Sequence, residues 1–259
     1  MFLETISNTK EETFKQCKLK YYFYYVKKLL GIPKNEASLN FGSYIHKIFE
    51  DGYQAQHISE LEKLAESHKK TYKISSQYKA KTKACLENFL RFNAKLGETL
   101  ANEYHFKIDL GNDISFEGYI DRIIKGKDGK YLIIDYKTSK REKTKADLFF
   151  DNQMLRYVYA IHKELDVPVE NIMAAHYYPV TNNFVNIKFS RNQVYKSIKN
   201  LVNSAWEIRK AKKEVMKPRL NTYCDWCNYK ELCPLYEPNE GKRQLLLENA
   251  PTRKRRNSE

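Results

Sequence analysis

Three consecutive residues in the middle of the chain have side chains that could hold a metal ion and act on a phosphate. Asp135, Tyr136 and Lys137 follow the apolar run of residues 131–134, which has the length and composition of a buried strand. Residues two apart on a strand point to the same face, so Asp135 and Lys137 project side by side. If the chain turns back just before this strand, Asp121 comes to lie across from it. Two carboxylates can bind Mg²⁺ or Mn²⁺, and a nearby ammonium can stabilise charge that develops on a phosphate.

These residues also have an ordinary structural interpretation. An Asp-x-Lys sequence is most often an ion pair on a surface hairpin, but here the ionisable groups directly follow an apolar strand, where burial without a partner costs free energy. His46 could add a nitrogen ligand, although a single histidine on a helix is usually structural. Gln153 and Tyr157 are four residues apart and share a helical face, so they could present an amide and a phenol to a phosphate or a base. Taken alone, that pair is more typical of a surface position and a core position.

Four short motifs carry these candidate residues, in the order Gly42-x-x-x-His46, Gly118-x-x-Asp121, Asp135-Tyr136-Lys137 and Gln153-x-x-x-Tyr157. Each motif is weak alone, but their order and spacing together resemble the RecB-like nucleases of the PD-(D/E)XK superfamily. The resemblance extends from Cys17 to Cys233, most of the chain. The proline in the superfamily's name is absent before Asp121, as it often is in this branch.

The resemblance implies a role for each matching position. A divalent metal, Mg²⁺ or Mn²⁺, would be held by the side chains of His46, Asp121 and Asp135 and by the backbone carbonyl of Tyr136. Lys137 would be catalytic together with the two aspartates. Gln153 and Tyr157 would shape the site and contact DNA. The implied activity is hydrolysis of phosphodiester bonds.

The five cysteines suggest a second metal site. Cys224, Cys227 and Cys233 form a compact cluster, and Cys17 lies far upstream. Disulfides are not expected in an intracellular protein. Three close thiolates and a distant one can complete a tetrahedral sulfur set for zinc or for an iron–sulfur cluster, and the spacing leaves both open. Free buried thiols, of which Cys85 is typical, are the third interpretation.

The arrangement is similar to that of the iron–sulfur exonucleases in the same branch, which include AddB-type nuclease domains and the nuclease of CRISPR adaptation. This resemblance implies a 4Fe–4S cluster with Cys17, Cys224, Cys227 and Cys233 as ligands, and Cys85 as a bystander. Such a cluster would have a structural role, because it joins the two ends of a very long loop.

Composition limits the class of protein. The chain has 259 residues, 46 basic and 32 acidic, and a net charge of +14. A hydrophobic fraction of 42% with 14% aromatic residues excludes a disordered chain. No apolar run reaches the roughly 20 residues of a membrane-spanning helix, and the first residues do not form a targeting signal. We therefore expect an intracellular protein, cytoplasmic or in the nucleoid, whose basic surplus binds DNA, although a basic surface without a partner is the alternative.

The hydrophobic period predicts a mixed α/β fold, and the resemblance implies a restriction-endonuclease-like central mixed sheet flanked by helices. A capping box at Thr9 predicts a helix to about Leu30, stopped by residues 31–33. The further predicted helices and strands are helix 41–54, two helices in 59–100, strands 104–110, 114–124 and 131–137, helix 152–165, strands 172–180 and 184–189, and helix 190–215. One nuclease domain is predicted over residues 1–245, with a helical insertion at about 57–100 and a Cys-rich segment at about 220–236. Residues 246–259 are predicted to be a basic disordered tail.

These features predict a DNA exonuclease that acts on single strands or free ends. Aromatic and basic residues of the N-terminal helix and the Lys-rich region could guide a strand. The sequence has no phosphate-binding loop of the G-x-x-x-x-G-K-[ST] type, so a helicase, or a recombination or replication protein, would be a separate partner. Two alternatives remain open, namely a catalytically idle DNA-binding subunit of a repair or recombination complex, and a nuclease stapled by zinc.

Overall fold

A computed structural model describes residues 4–32, 36–139, 141–211 and 215–253. In chain order its strands and helices are β1 Glu4–Ile6, α1 Asn8–Gln16, α2 Lys18–Tyr21, α3 Glu36–Asp51, α4 Ile58–Lys69, α5 Lys79–Asn93, β2 Glu98–Asp109, β3 Ile114–Lys125, β4 Tyr131–Tyr136, α6 Lys145–Phe149, α7 Asn152–Glu164, β5 Ile172–Tyr178, β6 Asn183–Ile187, α8 Arg191–Ala211 and α9 Glu240–Glu248. No described helix is both long enough and apolar enough to cross a bilayer.

The chain divides into two compact units, described separately below. The sheet unit comprises Ala37–Leu110 and Ser115–Asn200. The terminal unit comprises Met1–Glu36, Gly111–Ile114 and Leu201–Glu259. The single nuclease domain expected over residues 1–245 remains a prediction.

Within the sheet unit, the strands are arranged in the order β2-β3-β4-β5-β6. The β2–β3, β3–β4 and β5–β6 pairs are antiparallel, while β4 and β5 are parallel. Antiparallel neighbours need only a short turn, such as the one at residues 126–130, whereas a parallel pair needs a crossover. Helix α7 lies in that crossover and packs against β5 and β2. The predicted mixed sheet is confirmed.

One face of this sheet is covered by α3, α4 and α5. The predicted pair of helices in the polar region 59–100 corresponds to α4 and α5, and its last three residues already belong to β2. The rings of Phe49 and Phe89 stack with centroids 3.9 Å apart. The buried members of this core include Phe41, Tyr44, Ile45, Ile48, Phe49, Leu61, Cys85, Leu86, Phe89, Ile124, Ile134, Tyr136 and Tyr177. Cys85 is therefore a core residue of the sheet unit.

Helix α7 begins where its sequence predicts. Asp151 is its N-cap, and the carboxylate accepts hydrogen bonds from the backbone N–H groups of Gln153 at 2.9 Å and Met154 at 3.2 Å. These contacts satisfy two of the donors that every helix start leaves open. The first turn of α7, which carries Gln153, is thereby fixed.

The N-terminal helix of the terminal unit differs from the prediction. Ser7, not Thr9, caps α1, because the Ser7 hydroxyl accepts a hydrogen bond from Lys10 N at 3.2 Å. The helix ends at Cys17, whose backbone is extended with φ of −162°. A short helix α2 and a π-helical turn at Tyr22–Val26 follow, so no continuous helix reaches Leu30. Residues 33–35 lie outside the described residues, and they include the last residue of the predicted stop.

The C-terminal segment also differs from the prediction. Residues 246–248 belong to α9, and Thr252 forms an antiparallel bridge with Leu29, so residues 246–253 are not a disordered tail. The reason is apolar contact, because Leu247 and Ala250 pack against a cluster of Phe23, Leu29 and Tyr229. Residues 212–214 and 254–259 lie outside the described residues. Helix α8 is described as far as Ala211, and Val215, its predicted last residue, is not helical.

Candidate metal centre

The carboxyl end of β4 brings three of the predicted metal-binding positions together. The Asp121 carboxylate accepts a hydrogen bond of 2.6 Å from the backbone N–H of Tyr136. The His46 ring, carried by α3, places Nε2 2.9 Å from the Tyr136 carbonyl and Nδ1 3.5 Å from Asp121 Oδ2. His46, Asp121 and the Tyr136 carbonyl therefore face one another, in the arrangement that the resemblance implies.

A fourth residue, Glu103, joins this group and was missed by the sequence analysis. His46, Glu103 and Asp121 each offer one ligand atom, and these atoms all lie within 4.8 Å of one another. Glu103 has a positive φ of 45° and follows an irregularity in the pairing of β2 with β3. The register pairs Asn102 with Arg122 and Tyr104 with Ile120, which places Glu103 opposite Asp121. Only knowledge of that register could have identified it.

The ionisable groups of this site shift one another's pKa values. Burial, followed by the Asp121 carboxylate, raises the pKa of Glu103 to about 7. Burial lowers the pKa of His46, but the Asp121 carboxylate outweighs it and raises that pKa to about 9. Burial would raise the pKa of Asp121, but the His46 ring holds it below its ordinary value. An imidazole and two carboxylates in this arrangement suit a divalent cation, since they are hard oxygen and nitrogen donors around a shared point.

Asp135 and Lys137 project side by side at the same strand end, as predicted. Lys137 Nζ lies 2.6 Å from Asp135 Oδ2, and burial raises the pKa of Asp135 to about 6. The Lys137 ammonium also donates to Gln153 Oε1 at 3.3 Å, and Gln153 Nε2 donates to the Tyr157 hydroxyl at 2.8 Å. Asp135, Lys137, Gln153 and Tyr157 thus form a second network, which the backbone of residues 135–137 connects to the first group. Among the described residues, however, Asp135 is not in the 4.8 Å group, because its carboxylate pairs with Lys137.

A buried histidine behind the network was also missed. His176 is paired with Asp135 across the parallel strands and is fully buried. Its Nε2 atom lies 3.7 Å from both Asp135 Oδ2 and Asp151 Oδ2. Burial, followed by the Lys137 ammonium, lowers the pKa of His176 to about 4, so the ring is neutral. His176 stands in an apolar run of the sequence and gives no local signal of this position.

The two motif glycines permit close approaches near the site. A Cβ atom on Gly118 would stand 2.7 Å from the ring of Phe106, closer than real Cβ contacts. A Cβ atom on Gly42 would stand 3.3 Å from the Thr138 hydroxyl. Phe106 in turn packs edge-on against Tyr157 with centroids 5.9 Å apart. Gly118 therefore allows β2, β3 and α7 to pack closely beside Asp121.

The four cysteines of the second predicted metal site lie in the terminal unit. Cys17, Cys224, Cys227 and Cys233 all line one cavity. Arg219 donates to the carbonyl of Lys15, and Asn221 donates to the carbonyl of Gln16, which ties the segment before Cys224 to the end of α1. Burial, together with the other three thiols, raises the pKa of Cys233. The fold thus brings an upstream cysteine to three that follow about 200 residues later.

Comparison with known proteins defines the class of this molecule. The sequence profile of the PD-(D/E)XK nuclease superfamily matches residues 5–234. Because this match covers most of the 259 residues, the chain belongs to the PD-(D/E)XK nuclease superfamily.

Two similar proteins place it more closely. Over 177 residues, 60% of this chain, it is 25% identical to a subunit of the ATP-dependent helicase/deoxyribonuclease of Streptococcus pyogenes serotype M1. The match spans only 16% of that protein's length. A crystal structure of a proposed exonuclease from Eubacterium rectale superposes with a TM-score of 0.56 and 15% identity, over 87% of this chain and 88% of that one. At this identity the likeness concerns the fold alone, and it confirms the predicted fold class.

Proposed function

We propose that the chain is a divalent-metal-dependent nuclease that hydrolyses the phosphodiester bonds of DNA, acting as an exonuclease on single strands or free ends. Membership of the superfamily supports the nuclease activity. The observation that carries the metal-dependent part is the approach of His46, Glu103 and Asp121 to within 4.8 Å, beside the Tyr136 carbonyl. These side chains suit Mg²⁺ or Mn²⁺, because the Glu103 and Asp121 carboxylates lie close together and a divalent cation would neutralise their charge.

In this proposal His46, Asp121, Asp135 and the Tyr136 carbonyl hold the metal, as the resemblance implies, and Glu103 is an additional ligand. A bound Mg²⁺ or Mn²⁺ would polarise the phosphate and lower the pKa of a coordinated water. The protein's own residues position the groups that would bind the metal. His46 is oriented by its two contacts, and Asp121 is fixed by the Tyr136 N–H, so the donors are positioned before substrate binds.

Lys137 is the proposed catalytic group beside the metal site. Its ammonium keeps a positive charge, because the Asp135 carboxylate raises its pKa against the effect of burial. In that state it stabilises negative charge that grows on the phosphate in the transition state. Gln153 and Tyr157 hold the ammonium in place through a chain of two hydrogen bonds and offer polar groups to the DNA.

The test is degradation of end-labelled single-stranded DNA with Mg²⁺ or Mn²⁺, compared with circular single-stranded DNA. The proposal expects metal-dependent loss of the linear strand only, and loss of activity in Lys137→Ala. Lys130→Ala is the matched control, because Lys130 is half-exposed in a hairpin turn and paired with Asp128. Cleavage of circles would contradict the exonuclease assignment. Wild-type protein no more active than Lys137→Ala would favour the idle DNA-binding subunit.

We further propose that the four cysteines lining the cavity of the terminal unit bind a 4Fe–4S cluster. One zinc ion would draw its four thiolates to about 3.8 Å from one another. In the described part of the chain no three thiols lie within 4.8 Å of one another, although all four line the same cavity. Lys20, Arg219 and Lys230 also line that cavity and could offset the negative charge of a ligated cluster. The shared cavity supports a common metal site for the four thiols, and the resemblance to the iron–sulfur exonucleases favours a 4Fe–4S cluster over a single zinc ion.

Anaerobic purification of the full chain tests this assignment. A brown protein with broad visible absorbance and about four iron atoms per chain is expected. A colourless protein with one zinc per chain would support the zinc-stapled alternative. Cys227→Ser should lower the melting temperature and solubility, while Cys85→Ser should keep the metal content, because Cys85 lies in the core of the other unit.

A separate helicase or recombination protein is the proposed partner. The S. pyogenes relative is named as part of a helicase/deoxyribonuclease, which supports a setting in which unwound strands reach the nuclease. Co-purification of the chain with an ATP-dependent helicase from its own cell tests this, and degradation of long duplexes without any partner would contradict it.

A further inference from the structure

Two exposed phenylalanines lie beside the candidate nuclease site and take no part in the network described above. They end the connecting segment, defined as residues 138–151, which runs from Lys137 to the first turn of α7. Phe149 is 44% exposed and Phe150 is 75% exposed, and their rings meet edge to face with centroids 5.0 Å apart. Leu148, the residue before them, is fully buried. Leu148 thus anchors the turn while two apolar rings remain in solvent, an arrangement that marks interaction sites.

The position of the rings is fixed relative to the site. Lys137 and Gln153, at the two ends of the connecting segment, are joined by the 3.3 Å hydrogen bond between Nζ and Oε1. Phe150 precedes Gln153 by three residues, so their Cα atoms are at most about 11 Å apart. Asp151 between them is held as the N-cap of α7. Phe150 therefore lies within about 11 Å, Cα to Cα, of the residue whose side chain holds the proposed catalytic lysine.

The charge of the connecting segment suits a polyanion. Arg141 and Lys145 are exposed. Residues 138–151 carry four basic and three acidic residues, a small positive excess. The carboxylates of Glu142 and Asp147 are hydrogen-bonded to neutral groups, namely Thr181 and Asn183 for Glu142, and the N–H and hydroxyl of Thr144 for Asp147. Cations next to exposed aromatic rings are the combination that single-stranded nucleic acid binds, with phosphates on the cations and bases on the rings.

We propose that Phe149 and Phe150 form a stacking subsite for the bases of a single-stranded DNA end, one that delivers the strand to the site at Lys137. This rests on the proposed nuclease function and specifies its substrate. A base in a single strand exposes its π-face, whereas bases inside a duplex are stacked on each other and cannot reach the rings. Preference for single strands then arises from Phe149 and Phe150 rather than from the metal-binding residues.

Binding of labelled DNA to the full chain in EDTA tests the subsite without cleavage. Fluorescence anisotropy is measured with an oligo(dT) strand and with a blunt hairpin duplex. We expect Phe149→Ala/Phe150→Ala to bind the single strand about 5- to 150-fold more weakly, and the duplex less than twofold more weakly. Phe150→Trp should bind like the wild type, because it keeps an aromatic face. Thermal melting establishes that each variant is folded.

Tyr195→Ala is the matched control. Tyr195 is 38% exposed, and its hydroxyl is hydrogen-bonded to His162. His162 follows Gln153 by nine residues on α7, which places the two residues about 13 Å apart along the helix axis. The control substitution should leave both affinities unchanged. An equal loss in Tyr195→Ala, or an equal loss on the duplex in the double variant, would overturn the proposal.

An abasic scan makes the test specific for stacking. Removing one base at the position that meets the rings should weaken binding by the wild type several-fold, and by the double variant not at all. A base-removal effect of the same size in both proteins would refute stacking on Phe149 and Phe150. If the protein shows this base-dependent binding but does not cleave DNA with metal, the nuclease proposal alone is refuted. If the protein cleaves DNA but the phenylalanine variants do not change its binding, the subsite proposal alone is refuted.

Discussion

Glu103→Gln distinguishes a metal ligand from a structural residue, because it should have opposite effects on stability with and without metal. In metal-free protein, burial and then the neighbouring Asp121 carboxylate penalise the charged form of Glu103. Glutamine keeps the shape and removes the charge. The variant should therefore be more stable than the wild type in EDTA.

The size of this effect follows from the pKa. A rise in the pKa of Glu103 from 4.5 to about 7 corresponds to about 3 kcal/mol against the charged form. Glu103 is half-buried, so solvent screening reduces the expected gain to about 1–2 kcal/mol. The sign is that of an acid with a raised pKa in the folded state, so wild-type stability falls as the pH rises from about 4.5 to about 7. At about 2–4 °C per kcal/mol, the variant should melt several degrees higher at pH 8 and equally at pH 4.5.

With metal bound, the wild type should become more stable than Glu103→Gln. Mn²⁺ at a hundred times its dissociation constant stabilises the wild type by about 2.7 kcal/mol. The variant has lost one carboxylate ligand, so the same Mn²⁺ concentration should stabilise it much less. The melting temperature of Glu103→Gln then falls below that of the wild type.

Differential scanning calorimetry at pH 4.5 and pH 8, in EDTA and in Mn²⁺, measures all four conditions. Glu117→Gln is the control, because Glu117 lies on the same pair of strands and pairs with His105, outside the metal group. It should show neither the gain in EDTA nor the reversal. A Glu103 variant that is less stable in EDTA and responds fully to Mn²⁺ would refute the reasoning.

Three further substitutions have defined outcomes. Gly118→Val should lower stability by about 1–3 kcal/mol in thermal melts, because its Cβ would overlap the ring opposite; unchanged melting would contradict that packing. Asp151→Ala should cost about 2 kcal/mol through the lost helix cap and ion pair, with reduced helix content near α7 detected by hydrogen exchange. His176→Asn should weaken Mn²⁺ binding about tenfold in calorimetry, because it changes the buried packing beside the Asp135 carboxylate, which lies 3.7 Å from the ring, and an unchanged isotherm would contradict that expectation.

Sequence alone predicts the elements that carry the proposed catalytic residues. Strands β3 and β4 and helix α7 lie close to their predicted limits, because their patterns depend on neighbours two to four residues away. The Asp151 cap is equally local. The approach of His46 to the end of β4 was expected only from the resemblance, because no local pattern joins residues 90 positions apart.

Tertiary structure decides the rest of the site. Glu103 lies near His46 and Asp121 because of the register of β2 against β3 and a backbone irregularity. Neither feature can be inferred from the local sequence pattern. His176 reaches Asp135 because β4 and β5 pair in parallel, which depends on the whole crossover. The break at Cys17 likewise interrupts a segment whose composition favours a helix, and it places the thiol at the cavity of the other three. Residue types therefore determine which chemistry is available, whereas strand pairing and chain packing determine which side chains come close enough to perform it.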